Sequence, residues 1–244
     1  TLQPAPLHGR RVIVRLESVT VAYQATNLRL RTRTRVHDDL VACVVFGPRA
    51  TGSVEGLRLR PGMLLVAEPG SEADFVVDPG YESIALLVPP SELRRCRSCR
   101  PTSGGHPSQD VAVLRADPLL TRRLFRRGRQ LTAAASKAPP LFDYGQPGPR
   151  AAELTLMDAL LAVLGSASVL APTGGERTQF AHSRIVRLAE DFALARLGER
   201  VQVSQLCRAA YVSERTLECA FKEITGLSPV AYLRRLRLHC ARAA

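Results

Sequence analysis

The chain has 244 residues, 45% of them apolar and 23% charged, which is enough for one large domain or two small ones and too ordinary for a disordered chain. Trp is absent and aromatics make up 5%, which argues against stacking platforms for single-stranded nucleic acid. The formal net charge of +12 points to polyanionic partners.

Arginine carries that charge, since Lys137 and Lys222 are the only lysines. Its guanidinium suits bidentate contacts to phosphate or guanine. From Arg177 onward there are 12 Lys/Arg against 6 Asp/Glu, so half of the excess lies in that C-terminal stretch. Cysteines at 43, 96, 99, 207, 219 and 240 follow no disulfide spacing. No secretory signal opens the sequence and no apolar run reaches ~18 residues, so a reduced, cytoplasmic protein without membrane association is expected.

Residues 11–95 read as short strands. Val12, Val14 and Leu16 alternate with Ile13 and Arg15, and Val19, Val21 and Tyr23 alternate with Thr20 and Ala22. A continuous apolar run covers Leu40–Phe46, and further strands are expected at Leu57–Arg60, Met63–Ala67, Asp74–Val77 and Ser83–Val88. Pro61-Gly62, Pro69-Gly70 and Pro79-Gly80 separate the last of these, with proline presetting φ and glycine supplying the positive φ of a turn. Strands at that spacing indicate an antiparallel barrel or sandwich over residues 1–100.

Within it, LRLRTRTRV (Leu28–Val36) places Arg29, Arg31, Arg33 and Arg35 on one face. A solvated or charge-protected edge is one reading. The other is a cationic wall for an anionic effector, which would relieve repulsion between the four charges. Replacing Arg31 and Arg33 by Gln is expected to leave folding intact.

Metal and redox chemistry find little support. His37, followed by Asp38 and Asp39, has no partner histidine among the strands, and Cys96-Arg-Ser-Cys99 with His106 lacks the second ligand pair of a structural zinc site. No nucleophile with an adjacent base stands out, so neither an enzyme nor a cofactor or metal is expected.

Residues 108–170 read as helical. Pro118–Ala135 sets Leu119, Leu120, Leu124 and Leu131 among Arg122, Arg123, Arg126, Arg127 and Arg129, and Ala151–Leu164 is apolar on most sides. Such a helix packs against the barrel or forms a dimer face. A linker is expected at 171–178, then a DNA-binding domain at 179–244 opened by a helix over Phe180–Leu197, with Ile185, Leu188, Ala189, Phe192 and Leu197 inward.

The densest signal lies between Val203 and Arg242. Ser204 is read as the N-cap of a short helix, Ser213 as the cap of the next with Glu214 in its first turn, Gly226 as its stop, and Ser228-Pro229 as the start of a third. Leu217, Ala220, Phe221 and Ile224 form the inward stripe of the middle helix, leaving Arg215, Glu218, Cys219 and Lys222 outside. The third helix offers Tyr232, Leu233, Leu236 and Leu238 inward and Arg234, Arg235 and Arg237 outward. That is the grammar of a helix-turn-helix followed by an Arg-studded helix.

At LCRAA, VSERTL and AFKEITGLSPVAYLRRLRL the chain resembles the AraC/XylS transcription regulators. The resemblance runs over Arg184–Ala244, and Pro6–Leu93 is similar to the family's cupin-like effector-binding or oligomerising barrel. It implies an α+β protein that binds promoter or operator DNA under a small-molecule effector, acts as an activator with RNA polymerase, and forms a homodimer. It further implies two helix-turn-helix units joined by the Arg-studded helix. Ser204, Ser213, Arg215, Thr216, Glu218, Cys219, Lys222, Arg234, Arg235 and Arg237 are the expected DNA-contacting residues, Arg29, Arg31, Arg33 and Arg35 the effector candidates. Cys219 stands where the family has a larger, often cationic residue, and Tyr211 where it has a turn glycine. The second unit is absent from these 244 residues, so weak and poorly specific DNA binding is expected of this stretch. The competing expectations are an enzyme built on the barrel and an interaction protein that has lost DNA binding.

Overall fold

The computed structural model describes residues 6–94, 111–142, 147–170, 174–196, 199 and 201–243. Cys96, Cys99 and His106 lie outside them. Two compact units emerge, one running to Val54 and again from Leu59 to Ala171, the other taking Glu55–Arg58 and Pro172–Ala244.

The first unit is mostly antiparallel sheet. Its strands are β1 (Gly9–Arg15), β2 (Thr20–Thr26), β3 (Leu30–Arg35), β4 (Val41–Phe46), β5 (Gly52–Val54), β7 (Met63–Ala67), β8 (Glu72–Val77), β9 (Tyr81–Val88), β10 (Val111–Arg115) and β11 (Ser168–Val169), with the two-residue β6 (Leu57–Arg58) following β5 in the chain. The larger sheet has the order β1-β2-β9-β4-β7-β10-β11, and in the smaller β8 lies between β3 and β5. A short helix α1 (Pro90–Arg94) follows β9, and α2 (Pro118–Lys137) and α3 (Pro147–Gly165) follow β10.

The expected strands are present, and their burial follows from their patterning. In β1 Val14 is buried while Ile13 is half exposed, as alternation requires. The unbroken run of β4 is covered on both faces. Val41, Cys43 and Val45 join the main core, whereas Ala42 meets Val36 and Ala67 on the other side. That main core is closed by the helices, through Leu124 and Phe125 of α2 and Leu156, Leu160 and Val163 of α3. Helix α2 approaches β9 so closely that a Cβ on Gly128 would lie 2.7 Å from Ile84 Cγ2. Glu153 of α3 ties down the β1–β2 turn, accepting from Ser18 N at 2.9 Å and Ser18 Oγ at 2.6 Å.

The structure corrects the sequence reading at three places in this framework. Val111–Arg115 is a strand rather than the opening of a helical stretch, paired along its whole length with β7 from Val111↔Ala67 to Arg115↔Met63. Four apolar residues in a five-residue segment cannot distinguish the two periods. The segment at 171–178 is helical from Gly174, where α4 (Gly174–Leu194) begins, and Glu176 is buried there. The inward stripe of α4 is Ser183, Val186, Ala189, Glu190 and Ala193, while Ile185, Leu188 and Phe192 are only half-buried. Small residues let the other helices of its unit approach α4, and Phe192 carries the Arg196 guanidinium 3.9 Å above its ring.

Candidate nucleic-acid interface

The second unit is built from α4, α5 (Val203–Ala210), α6 (Glu214–Thr225) and α7 (Pro229–Ala243). Val186, Ala189, Ala193, Leu206, Leu217, Ala220, Phe221, Ile224, Tyr232 and Leu233 are its buried residues of largest consequence. Phe221 and Tyr232 meet edge to face with centroids 5.4 Å apart. Polar contacts also join α4 to the other helices: the Tyr232 hydroxyl donates to Glu190, and His182 Nδ1 is hydrogen-bonded to Glu223.

Helix α5 starts two residues earlier than expected. Its N-cap is Gln202, whose N–H donates to the Gln205 side chain at 2.8 Å, so Ser204 is an exposed first-turn residue rather than the cap. Glutamine is a poor capping residue by type, and the reciprocal Gln205 contact supplies what the sequence rule looks for in serine. The helix ends at Tyr211, held in the left-handed region at φ 56°, where a side chain with a Cβ costs about 1–2 kcal/mol. This side chain is 91% exposed, so it stands clear at the turn into α6. Burial, and then the charge of Glu214, push the Cys207 thiol above its usual range.

For α6 the local reading holds. Ser213 Oγ accepts from Thr216 N at 3.2 Å and lies 2.9 Å from the Thr216 hydroxyl, so these two side chains position the helix. Gly226 ends it at φ 74°. Leu217, Ala220, Phe221 and Ile224 are buried, and Arg215, Glu218, Cys219 and Lys222 form one exposed stripe at i, i+3, i+4 and i+7. The stripe is long enough to span several base edges in a groove. Its charge is less favourable. Exposed Arg215 and Lys222 face exposed Glu214, Glu218 and Glu223, two cations against three carboxylates.

Cationic support comes from the flanking helices. Arg208 of α5 and Arg234 of α7 are exposed, and Arg235 is half-buried. Arg237 is also half-buried and donates through Nη2 to the Glu199 carbonyl at 3.1 Å, which employs part of its guanidinium inside the unit. Leu238, expected inward, is 57% exposed. Tyr211 is the residue whose prominence here the sequence reading missed; the absence of the usual turn glycine was its only signal.

The arginines of β3 are not bare. Arg31 lies 3.2 Å from Asp74, with both side chains buried (4% and 5% exposed). Arg29 meets Asp78 at 3.4 Å, Arg33 meets Asp74 at 3.7 Å and Glu72 at 3.9 Å, and Arg35 meets Asp38 at 3.2 Å. The repulsion that an anionic effector was expected to relieve is thus met by carboxylates of β8 and nearby turns. A buried Arg31 also overturns the expectation that Arg31 and Arg33 can be neutralised without affecting folding. Among the described residues, no group of three or more His, Cys, Asp or Glu side chains could hold a metal ion. None of the described helices is long and apolar enough to cross a membrane.

No family model matches the chain. Among solved structures, it is similar to the AraC-like transcriptional activator CuxR, at 15% identity and a TM-score of 0.46, over 96% of this chain and 80% of that one. It is also similar to ToxT from Vibrio cholerae, at 8% identity and a TM-score of 0.34, over 89% of this chain and 98% of that one. At these identities and TM-scores the functional case rests on the residues of α5, α6 and α7 themselves.

Proposed function

We propose that the chain is a transcription regulator of the AraC type, whose second unit binds duplex DNA with α6 in the major groove. The observation that carries this reading is the capped, separately supported α6, with Arg215, Glu218, Cys219 and Lys222 exposed in one stripe and arginines on both flanking helices. In it Glu218 accepts from a cytosine amino group, Arg215 donates to guanine or phosphate, and Arg208, Lys222, Arg234 and Arg235 contact phosphates. Ser213 and Thr216 position α6, and Ser204 lies in the first turn of α5, where backbone N–H groups and the helix dipole favour phosphate. The first unit takes the effector or homodimer role, the latter through α3, where Leu154 is 60% exposed. Activation through RNA polymerase completes the reading, which assigns no catalytic residue and no cofactor.

Binding of a fluorescent duplex, selected from a random library, tests it between about 50 and about 200 mM salt. Affinity should fall steeply across that range, and Lys222→Ala should reduce the slope of log K against log salt by about 1. Salt-independent binding, or none, would remove the proposal. The carboxylate excess of α6 favours a second reading, a protein–protein surface evolved from a DNA-binding one, and a failure to bind any duplex would select it.

A further inference from the structure

Helices α2 and α3 form an open-sided cavity of about 280 Å³ on the flank of the first unit, lined by Leu120, Arg123 and Arg127 of α2 and by Asp158, Ala159 and Ala162 of α3. Its origin lies in the sequence. The bulky residues Leu124, Phe125, Leu156, Leu160 and Val163 are committed to the core, so the apolar lining that α3 adds is limited to the methyl groups of Ala159 and Ala162. Cavities in this size range hold small ligands rather than nucleotides or drug-sized molecules.

The charges at this cavity form no ion pair among the described residues, and Arg127 alone has a hydrogen-bond partner there. Arg123 and Arg127 stand at i and i+4, where like charges repel. Arg127 is anchored by donating Nη1 to the Thr155 carbonyl at 3.1 Å, leaving further donors of its guanidinium available. Among the described residues neither arginine forms an ion pair, and exposed Asp158 lies on the opposing wall without a hydrogen bond or ion pair. The arginines of β3, by contrast, all meet carboxylates of their own unit.

We infer that this cavity binds a small organic anion that also carries a hydroxyl or ammonium group. The anionic oxygens sit between Arg123 and Arg127, as guanidinium pairs hold carboxylate or phosphate. Asp158, an acceptor only, takes the ligand's donor, and the hydrocarbon between them lies on Leu120, Ala159 and Ala162. This site stands whether or not α6 binds DNA.

Titration calorimetry and melting of the intact chain with 3-hydroxybutyrate, glycerol 3-phosphate and butyrate test the inference and separate carboxylate from phosphate ligands. At least one hydroxylated anion should bind saturably and raise the melting midpoint with concentration. Its preference over butyrate should be about tenfold, the worth of one hydrogen bond to a charged group. R123Q/R127Q should abolish binding, R122Q/R126Q should preserve it, and D158N should remove the preference over butyrate. Absence of saturable binding by all three probes overturns the inference. So does binding that survives R123Q/R127Q, binding lost equally in R122Q/R126Q, or a preference unchanged by D158N.

Discussion

Arg31 shows how a single side chain can change meaning once its partner is known. Read along the strand, it belongs to a row of like charges; in the fold, it is one half of a buried pair with Asp74, 43 residues away. Arg31→Gln removes the nearer of the two cations at Asp74 and leaves Arg33 at 3.7 Å, so it should cost roughly 2 kcal/mol, visible as a lower urea midpoint. Tyr211 works in the opposite direction. Its left-handed backbone suits glycine, so Tyr211→Gly should raise stability by up to about 1 kcal/mol despite the more flexible unfolded chain. Tyr211→Val should lower it, because branching at Cβ is poorly tolerated there.

Among the elements, legibility depended on how local the cause is. The cap at Ser213, the stop at Gly226 and the Pro229 start could be read directly, since each needs only two or three neighbouring residues. The start of α5 was misplaced because Gln202 caps through a reciprocal glutamine, and β10 was missed because its identity comes from β7, more than forty residues upstream. In the candidate interface the stripe from Arg215 to Lys222 was legible from helical spacing, whereas the diversion of Arg237 to Glu199 was not. The two serines provide a check on this account. Ser213→Ala should cost about 1 kcal/mol, while Ser204→Ala should stay within about 0.5 kcal/mol, compared by thermal melting of the two variants.

For the molecule as a whole, the sheet core sets an alkaline limit. Tyr81 is buried in β9, and burial pushes its pKa up to about 12 from its usual value of 10. An unfolded chain releases this proton near pH 10 while the folded chain retains it, so the unfolded state binds fewer protons between the two values. Stability that is complete below pH 10 is therefore lost as pH rises toward 12. Urea midpoints measured at pH 8 and pH 11 should fall further in the native chain than in Tyr81→Phe, which has no proton to release.

The order β1-β2-β9-β4-β7-β10-β11 also has a consequence in time. During synthesis the hairpin of β1 and β2 emerges early, but the strand it must join, β9, follows more than fifty residues after β2 ends. Until then its edge is open to other chains, and non-local pairing of this kind is slow. Arg10, Arg11 and Arg15 lie on β1, the other strand of the hairpin, and their mutual repulsion discourages copies from pairing along the outer edge that β1 keeps in the finished sheet.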